Sequence, residues 1–209
     1  MKRTDFRPHA FPNRVLSCSC LLSLLVLTFC GYLSAAADES PKLLYQPGKS
    51  DAVRIAPESD NLTVAPQGEG LAVTVRGGEV QYPGFTIRPA EGKWDLSSWG
   101  HVEAKITNTG SSDLGVSLRV DNEGPWQDSP WNCEAVTVPP GESKVIKVIF
   151  GFQYGLKPGY KLKPEAVSQL LVFLFKSDKD RSFRIEQIQA AGPAGEAPPV
   201  DPNSIVTKP

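Results

Sequence analysis

His101-Val102-Glu103-Ala104-Lys105-Ile106-Thr107 alternates polar and apolar residues without a break, so Val102, Ala104 and Ile106 share one face. A period of two is that of a half-buried β-strand; an amphipathic helix would repeat at 3.6. Outward from this stretch the same period recurs. Val116, Leu118 and Val120 repeat it within Gly115–Val120, and further runs occupy Leu71–Val75, Phe85–Arg88, Ala135–Val138, Lys144–Phe152, Gln169–Phe175 and Ser182–Gln189. Turn chemistry separates them: Asn108-Thr109-Gly110, Pro139-Pro140-Gly141 and Lys157-Pro158-Gly159. Only Lys163–Ser168, opening at Pro164-Glu165, reads as a helical turn. Eight strands at this spacing predict an all-β protein, an antiparallel β-sandwich of jelly-roll type.

Two runs are apolar on both faces. Leu170–Phe175 has no polar residue, and Lys144–Phe152 carries Val145 and Ile149 beside Ile146, Val148 and Phe150. Either the N-terminal segment or the long excursion Gln153–Ala166 covers them, or they form a docking face for another domain.

The chain has 209 residues, with 22 Lys+Arg against 23 Asp+Glu. Residues 1–37 read as a signal peptide: Lys2, Arg3, Arg7 and Arg14 precede the apolar run Leu21–Phe29, and Ser34-Ala35-Ala36-Ala37 supplies small residues for cleavage. The expected location is secreted or periplasmic. A lipoprotein anchored through Cys30 is the alternative, which bulky Phe29 disfavours. The apolar run is short for a membrane span. Cleavage would remove four bases and one acid, leaving a formal charge of −4, with Cys133 as the remaining thiol. No nucleic-acid partner and no internal disulfide are then expected. Residues 38–50 read as a polar lead-in, 51–192 as one domain, and 193–209 as a Pro-rich tail.

The residue inventory argues against catalysis. Beyond the leader, His101 is the one histidine, and it opens a regular strand with no G-x-S-x-G elbow. His101 and Cys133 make a poor zinc pair, and no Gly-rich loop precedes a helix. Glycoside hydrolysis needs two placed carboxylates, yet no strand carries them clustered at alternating positions. Cys133 reads as a small buried residue.

The segment Val120–Asn132 (VDNEGPWQDSPWN) is the richest in chemistry. Gly124, Pro125 and Pro130 hold Trp126 and Trp131 on a turn-laden loop among Asp121, Asn122, Asp128 and Asn132. Indole faces stack on the C–H face of a pyranose while short amides and carboxylates bond its hydroxyls. The alternative is that the rings fold back over the core. Arg119 adds donors if it shares that face, and Tyr154 and Tyr160 are candidates for the opposite wall. Trp94 and Trp99, flanking Asp95-Leu96-Ser97-Ser98, read as structural anchors.

Trp94–Trp99, Val102–Gly110, Ser117–Asn122, the Trp126–Asn132 loop, Pro140–Ser143 and Ile146–Gly151 in this order resemble the carbohydrate-binding-module-like domain of agarases. The similarity spans about Leu71 to Gly192. In that family a galactose-binding-like jelly roll precedes the catalytic barrel of family-fifty glycoside hydrolases, and here a Pro-rich tail stands where the barrel would start. The resemblance implies the binding part alone: a non-catalytic module for agarose or a related galactan, with Trp126, Trp131, Asp121, Asn122, Asp128, Asn132 and Arg119 as its site. It implies no cofactor beyond a structural calcium, for which no ligands can be named. A protein-interaction subunit docking on a separate glycoside hydrolase is the first alternative, and a small glycosidase or lyase the second.

Overall fold

The computed structural model describes residues 40–128 and 130–199. The expected leader with Cys30, Ser129 and the last ten residues of the tail lie outside them.

Two antiparallel sheets face each other. The first runs in the order β3 (Leu62–Gln67), β4 (Gly70–Val75), β13 (Arg181–Pro193), β6 (Trp99–Asn108) and β9 (Ser143–Ile149), with β1 (Lys42–Tyr45) added along the second half of β13. The second has the order β2 (Val53–Pro57), β5 (Gly84–Pro89), β12 (Val167–Phe173), β7 (Leu114–Asn122) and β8 (Trp131–Val138). A small hairpin, β10 (Phe152–Gln153) with β11 (Lys157–Pro158), and one 3₁₀ turn at Pro164–Ala166 complete the fold. It is an all-β sandwich, and the alternating stretches make it so. Val102, Ala104, Ile106, Phe183 and Ile185 from one sheet and Phe85, Ile87, Leu118, Val120, Leu170 and Val172 from the other are fully buried in one shared core.

Three strands of the two facing sheets escape the sequence reading, as does the small β10–β11 hairpin. β2 and β3 are the outer strands of their sheets and carry Pro57 and Pro66, residues that break a strand signature but suit an edge with no partner to receive their missing N–H. The expected lead-in supplies β1, where Leu44 and Tyr45 are buried. The expected tail also begins inside the fold. β13 runs to Pro193, and a turn closed by Glu196 N–H to the Pro193 carbonyl (3.0 Å) returns Glu196 to buried His101.

The run Lys144–Phe152 is not one strand. β9 stops at Ile149, and the chain reverses through Gly151, whose φ of 87° is open to glycine. Of its outward residues, Val145 is exposed but Ile149 is buried, in register with His101.

Trp94 and Trp99 anchor as expected. Trp94 is buried and bridges to Val167, while the Trp99 indole donates to the Ser40 carbonyl and lies 5.4 Å from the Lys42 ammonium.

Candidate functional site

The outer face of the second sheet carries a cleft of ≈ 530 Å³. Its floor follows from strand register. Ala56, Thr86, Leu171, Arg119 and Cys133 form one row across all five strands. The row above holds Gly84, Phe173, Ser117 and Ala135. In the row below, Arg54 pairs with Arg88, and Gln169 with Asp121, which pairs in turn with Trp131. Because side chains alternate, Leu170, Val172 and Leu174 fill the core while Gln169, Leu171, Phe173 and Phe175 look outward. The strand that is apolar on both faces is therefore not covered over by the excursion. Its second face is the cleft floor, half-buried Leu171 and buried Phe173 giving way to Phe175, which is 55% exposed.

Aromatic rings wall the cleft on two sides. On one side Trp131 stands at the start of edge strand β8, with Tyr154 at 6.1 Å and Tyr160 at 5.4 Å between ring centroids, all edge-to-face. The Trp131 indole donates to the Trp126 carbonyl (2.9 Å), and the loop is held shut by Asn122 N–H to the Pro130 carbonyl and Asp128 N–H to the Pro125 carbonyl. Trp126 is thereby left 58% exposed. Neither ring folds back into the core. On the other side, the Gln81–Pro83 segment hydrogen-bonds along the end of β12, setting Tyr82 edge-on to Phe173 and Phe175 at 6.2 and 5.6 Å.

Tyr154 reaches the cleft through a strained loop. The excursion after β9 wraps around β8, where the Glu134 carboxylate accepts the backbone N–H groups of Gly155 and Leu156. Tyr154 and Leu156 take φ values of 40° and 63°, unusual for residues with a side chain. Tyr154 thus joins Trp131 on its own wall, not the opposite one as expected; the opposite wall is Tyr82 and Phe175.

A polar relay crosses the floor. Arg88 Nε donates to Gln169 Oε1 (2.8 Å), Gln169 Nε2 donates to Asp121 Oδ2 (2.6 Å), and Asp121 accepts both Arg119 Nε and Nη2 (2.7 and 2.8 Å). The Arg119 guanidinium lies 5.7 Å from the Trp131 ring. These groups are held before any ligand arrives, which lowers the ordering cost of binding.

Among the residues read from the sequence, the fold brings Trp126, Trp131 and Arg119 to the cleft, with Asp121 beneath as a buried partner of Arg119. Asn122 and Asn132 are spent elsewhere. Asn122 clasps the 3₁₀ turn, donating to the Lys163 and Ala166 carbonyls and accepting from Lys163 N–H. Asn132 clasps the excursion, accepting from Gly151 N–H and donating to the Tyr160 carbonyl. Both are buried with their amides saturated, so they build the loop frame instead of meeting hydroxyls. Asp128 is exposed and outside the cleft lining. Thr86, Arg88 and Gln169, which line the floor, carry no motif; only their alternation in strands β5 and β12 could have marked them.

Cys133 is buried under Tyr154. Burial pushes its thiol up to about 12, against a smaller lowering by the Tyr154 hydroxyl hydrogen bond. Among the described residues, no group of three or more His, Cys, Asp or Glu side chains could hold a metal ion, and no helix is long and apolar enough to cross a membrane.

Two agarases of solved structure share this architecture. One superposes over 79% of this chain and 26% of its own at 12% identity, with a TM-score of 0.58, and an exo-β-agarase over 68% and 24% at 15% identity, with a TM-score of 0.51. A family 11 carbohydrate-binding module from Clostridium thermocellum, in complex with a β-1,3-1,4-mixed-linked tetrasaccharide, matches over 75% of this chain and 98% of its own at 15% identity and a TM-score of 0.51. The fold is that of a carbohydrate-binding module. This chain spans about a quarter of the length of the agarases but nearly the whole of the family 11 module. No family model and no curated protein matches the sequence. The resemblance to the agarase module thus holds in the fold.

Proposed function

We propose that this protein is a non-catalytic carbohydrate-binding module, exported from the cytoplasm, that takes a galactose-based polysaccharide of the agarose type into the cleft on its second sheet. One observation carries the reading: two aromatic walls, Trp131 with Tyr154 and Tyr82 with Phe175, face each other over a floor whose polar groups are already fixed by the Arg88–Gln169–Asp121–Arg119 relay. Rings of this kind offer apolar faces to the C–H side of a pyranose, and the exposed Trp126 indole extends that platform. The agarase likeness supports a galactan as the ligand. The carboxylates nearest the floor are committed within the fold: Asp121 is locked by Arg119, and Glu58 accepts from the Thr86 hydroxyl. That supports binding without hydrolysis.

Affinity electrophoresis of the purified protein through agarose tests the reading. Retention is expected, and Trp131→Ala or Trp126→Ala should abolish or strongly reduce it. Unchanged migration of the wild-type protein on agarose and other neutral galactans would overturn it, and release of reducing sugar from any of them would replace binding with catalysis.

A further inference from the structure

The cleft does not end at its aromatic walls. Past Gln169 and Arg88, which belong to both, a second hollow of ≈ 340 Å³ continues along the same face and is lined by Arg54, Lys93 and Ser168. Its character is opposite to that of the first.

Arg54 on β2 and Arg88 on β5 are register partners, directly across from one another in an antiparallel pair. Like charges in that position repel and destabilise a sheet, and edge strand β2 could have carried a neutral or acidic residue there. Among the described residues no carboxylate pairs with either guanidinium. Arg54 Nη2 donates to the Pro89 carbonyl (3.3 Å), and Arg88 uses Nε alone, on Gln169. Gln169 is itself oriented by Asp121, so the plane of Arg88 is set while its two terminal nitrogens stay available. The carboxylates along this face have other partners: Glu123 pairs with Lys93 (2.7 Å), Asp121 with Arg119, and Glu58, just past the end of β2, accepts from the Thr86 hydroxyl.

Resting on the proposed carbohydrate-binding function, we infer that Arg54 and Arg88 form an anion subsite at the end of the sugar cleft, so that the favoured ligand is a galactan bearing acidic substituents, either sulfate esters or carboxylates. Guanidinium forks match the paired oxygens of both groups, and an anion seated between two facing arginines removes the repulsion that the empty pair suffers. The neutral part of the chain then stacks on Trp131 and Tyr82 while its charged group is read at the basic end.

The test compares retention of the whole protein in gels containing agarose, κ-carrageenan as a sulfated galactan, or polygalacturonate as a carboxylated one. The double variant Arg54→Gln/Arg88→Gln is set beside Trp131→Ala and a control of equal charge change on the other sheet, Lys105→Gln/Arg184→Gln. The wild-type protein should bind one anionic glycan more tightly than agarose, with added salt removing the difference, and the preferred gel identifies sulfate or carboxylate. The double arginine variant should lose about tenfold or more in affinity for that glycan, and Arg54→Gln alone, which lies in the second hollow and outside the first, should lose part of that affinity while keeping its agarose retention. Trp131→Ala should weaken both. Equal retention of the wild-type protein in all three gels, or a loss matched by the control pair, would overturn the anion subsite and leave carbohydrate binding standing. No retention in any gel would overturn both.

Discussion

Arg119 is clamped by Asp121, two residues along the same strand, through paired hydrogen bonds of 2.7 and 2.8 Å between the guanidinium and the carboxylate. Asp121 also receives Gln169, so one carboxylate holds the centre of the cleft floor. Asp121→Ala leaves Arg119 without its counter-charge in a place where both side chains are largely buried. A loss of about 2–3 kcal/mol in urea denaturation is expected, together with weaker polysaccharide retention as Arg119 leaves the Trp131 ring.

The loop asparagines and the loop tryptophans should separate cleanly. Asn122→Ala or Asn132→Ala orphans several backbone groups at once and should cost about 2–4 kcal/mol. Trp126→Ala, at an exposed site, should change stability by less than about 0.5 kcal/mol while removing binding surface. Thermal melting of the three variants beside a binding assay checks the contrast.

Cys133 should be inert in the folded protein. With its thiol pushed up to about 12 and the sulfur buried, almost no thiolate exists at pH 8. A thiol reagent such as dithionitrobenzoate should leave it unmodified under native conditions and titrate it fully in guanidinium chloride.

Acid should release the C-terminal turn. Burial works to raise the Glu196 carboxyl, but its hydrogen bonds and charge contacts with His101 and Lys147 outweigh that and hold it below the ordinary carboxylate range. A folded-state pKa below the unfolded one gives stability that is present above the unfolded value and is lost as pH falls through the folded one. Stability measured from pH 7 down to 3 should therefore fall more steeply in the wild-type protein than in Glu196→Gln, which begins less stable at neutral pH.

Gly84 is required by its neighbours rather than by its backbone angles. A Cβ there would stand 2.7 Å from the Val172 carbonyl oxygen and 2.8 Å from Phe173 Cβ, neither of which can swing away. Gly84→Ala should destabilise the protein by about 1–3 kcal/mol, and the Phe173 ring should move, visible as altered near-ultraviolet circular dichroism.

The two-residue period was sufficient for the sandwich. His101–Thr107 and Gly115–Val120 sit in central strands, where burial of one face forces strict alternation, and such strands announce themselves in any sequence. Edge strands such as Val53–Pro57 and Leu62–Gln67 answer to weaker demands, tolerate proline, and stayed hidden. The tryptophan loop was legible as well, because Gly124, Pro125 and Pro130 mark a turn without reference to anything distant.

What the sequence by itself determined is thus the fold class and the turn-laden loop that carries Trp126 and Trp131, since both follow from local patterns; that Trp126 is exposed and Trp131 half-buried was decided by the tertiary structure. Which polar side chains face the cleft was decided by the tertiary structure alone. Asn122 and Asn132 look like sugar ligands until the Gly151–Ala166 stretch folds over them and engages both of their amide groups. Arg54, Arg88 and Gln169 look like ordinary strand residues until five strands of non-sequential order set them on one face of a sheet with Asp121 and Trp131. Register across a sheet joins residues separated by more than a hundred positions in the chain, and no local period encodes that.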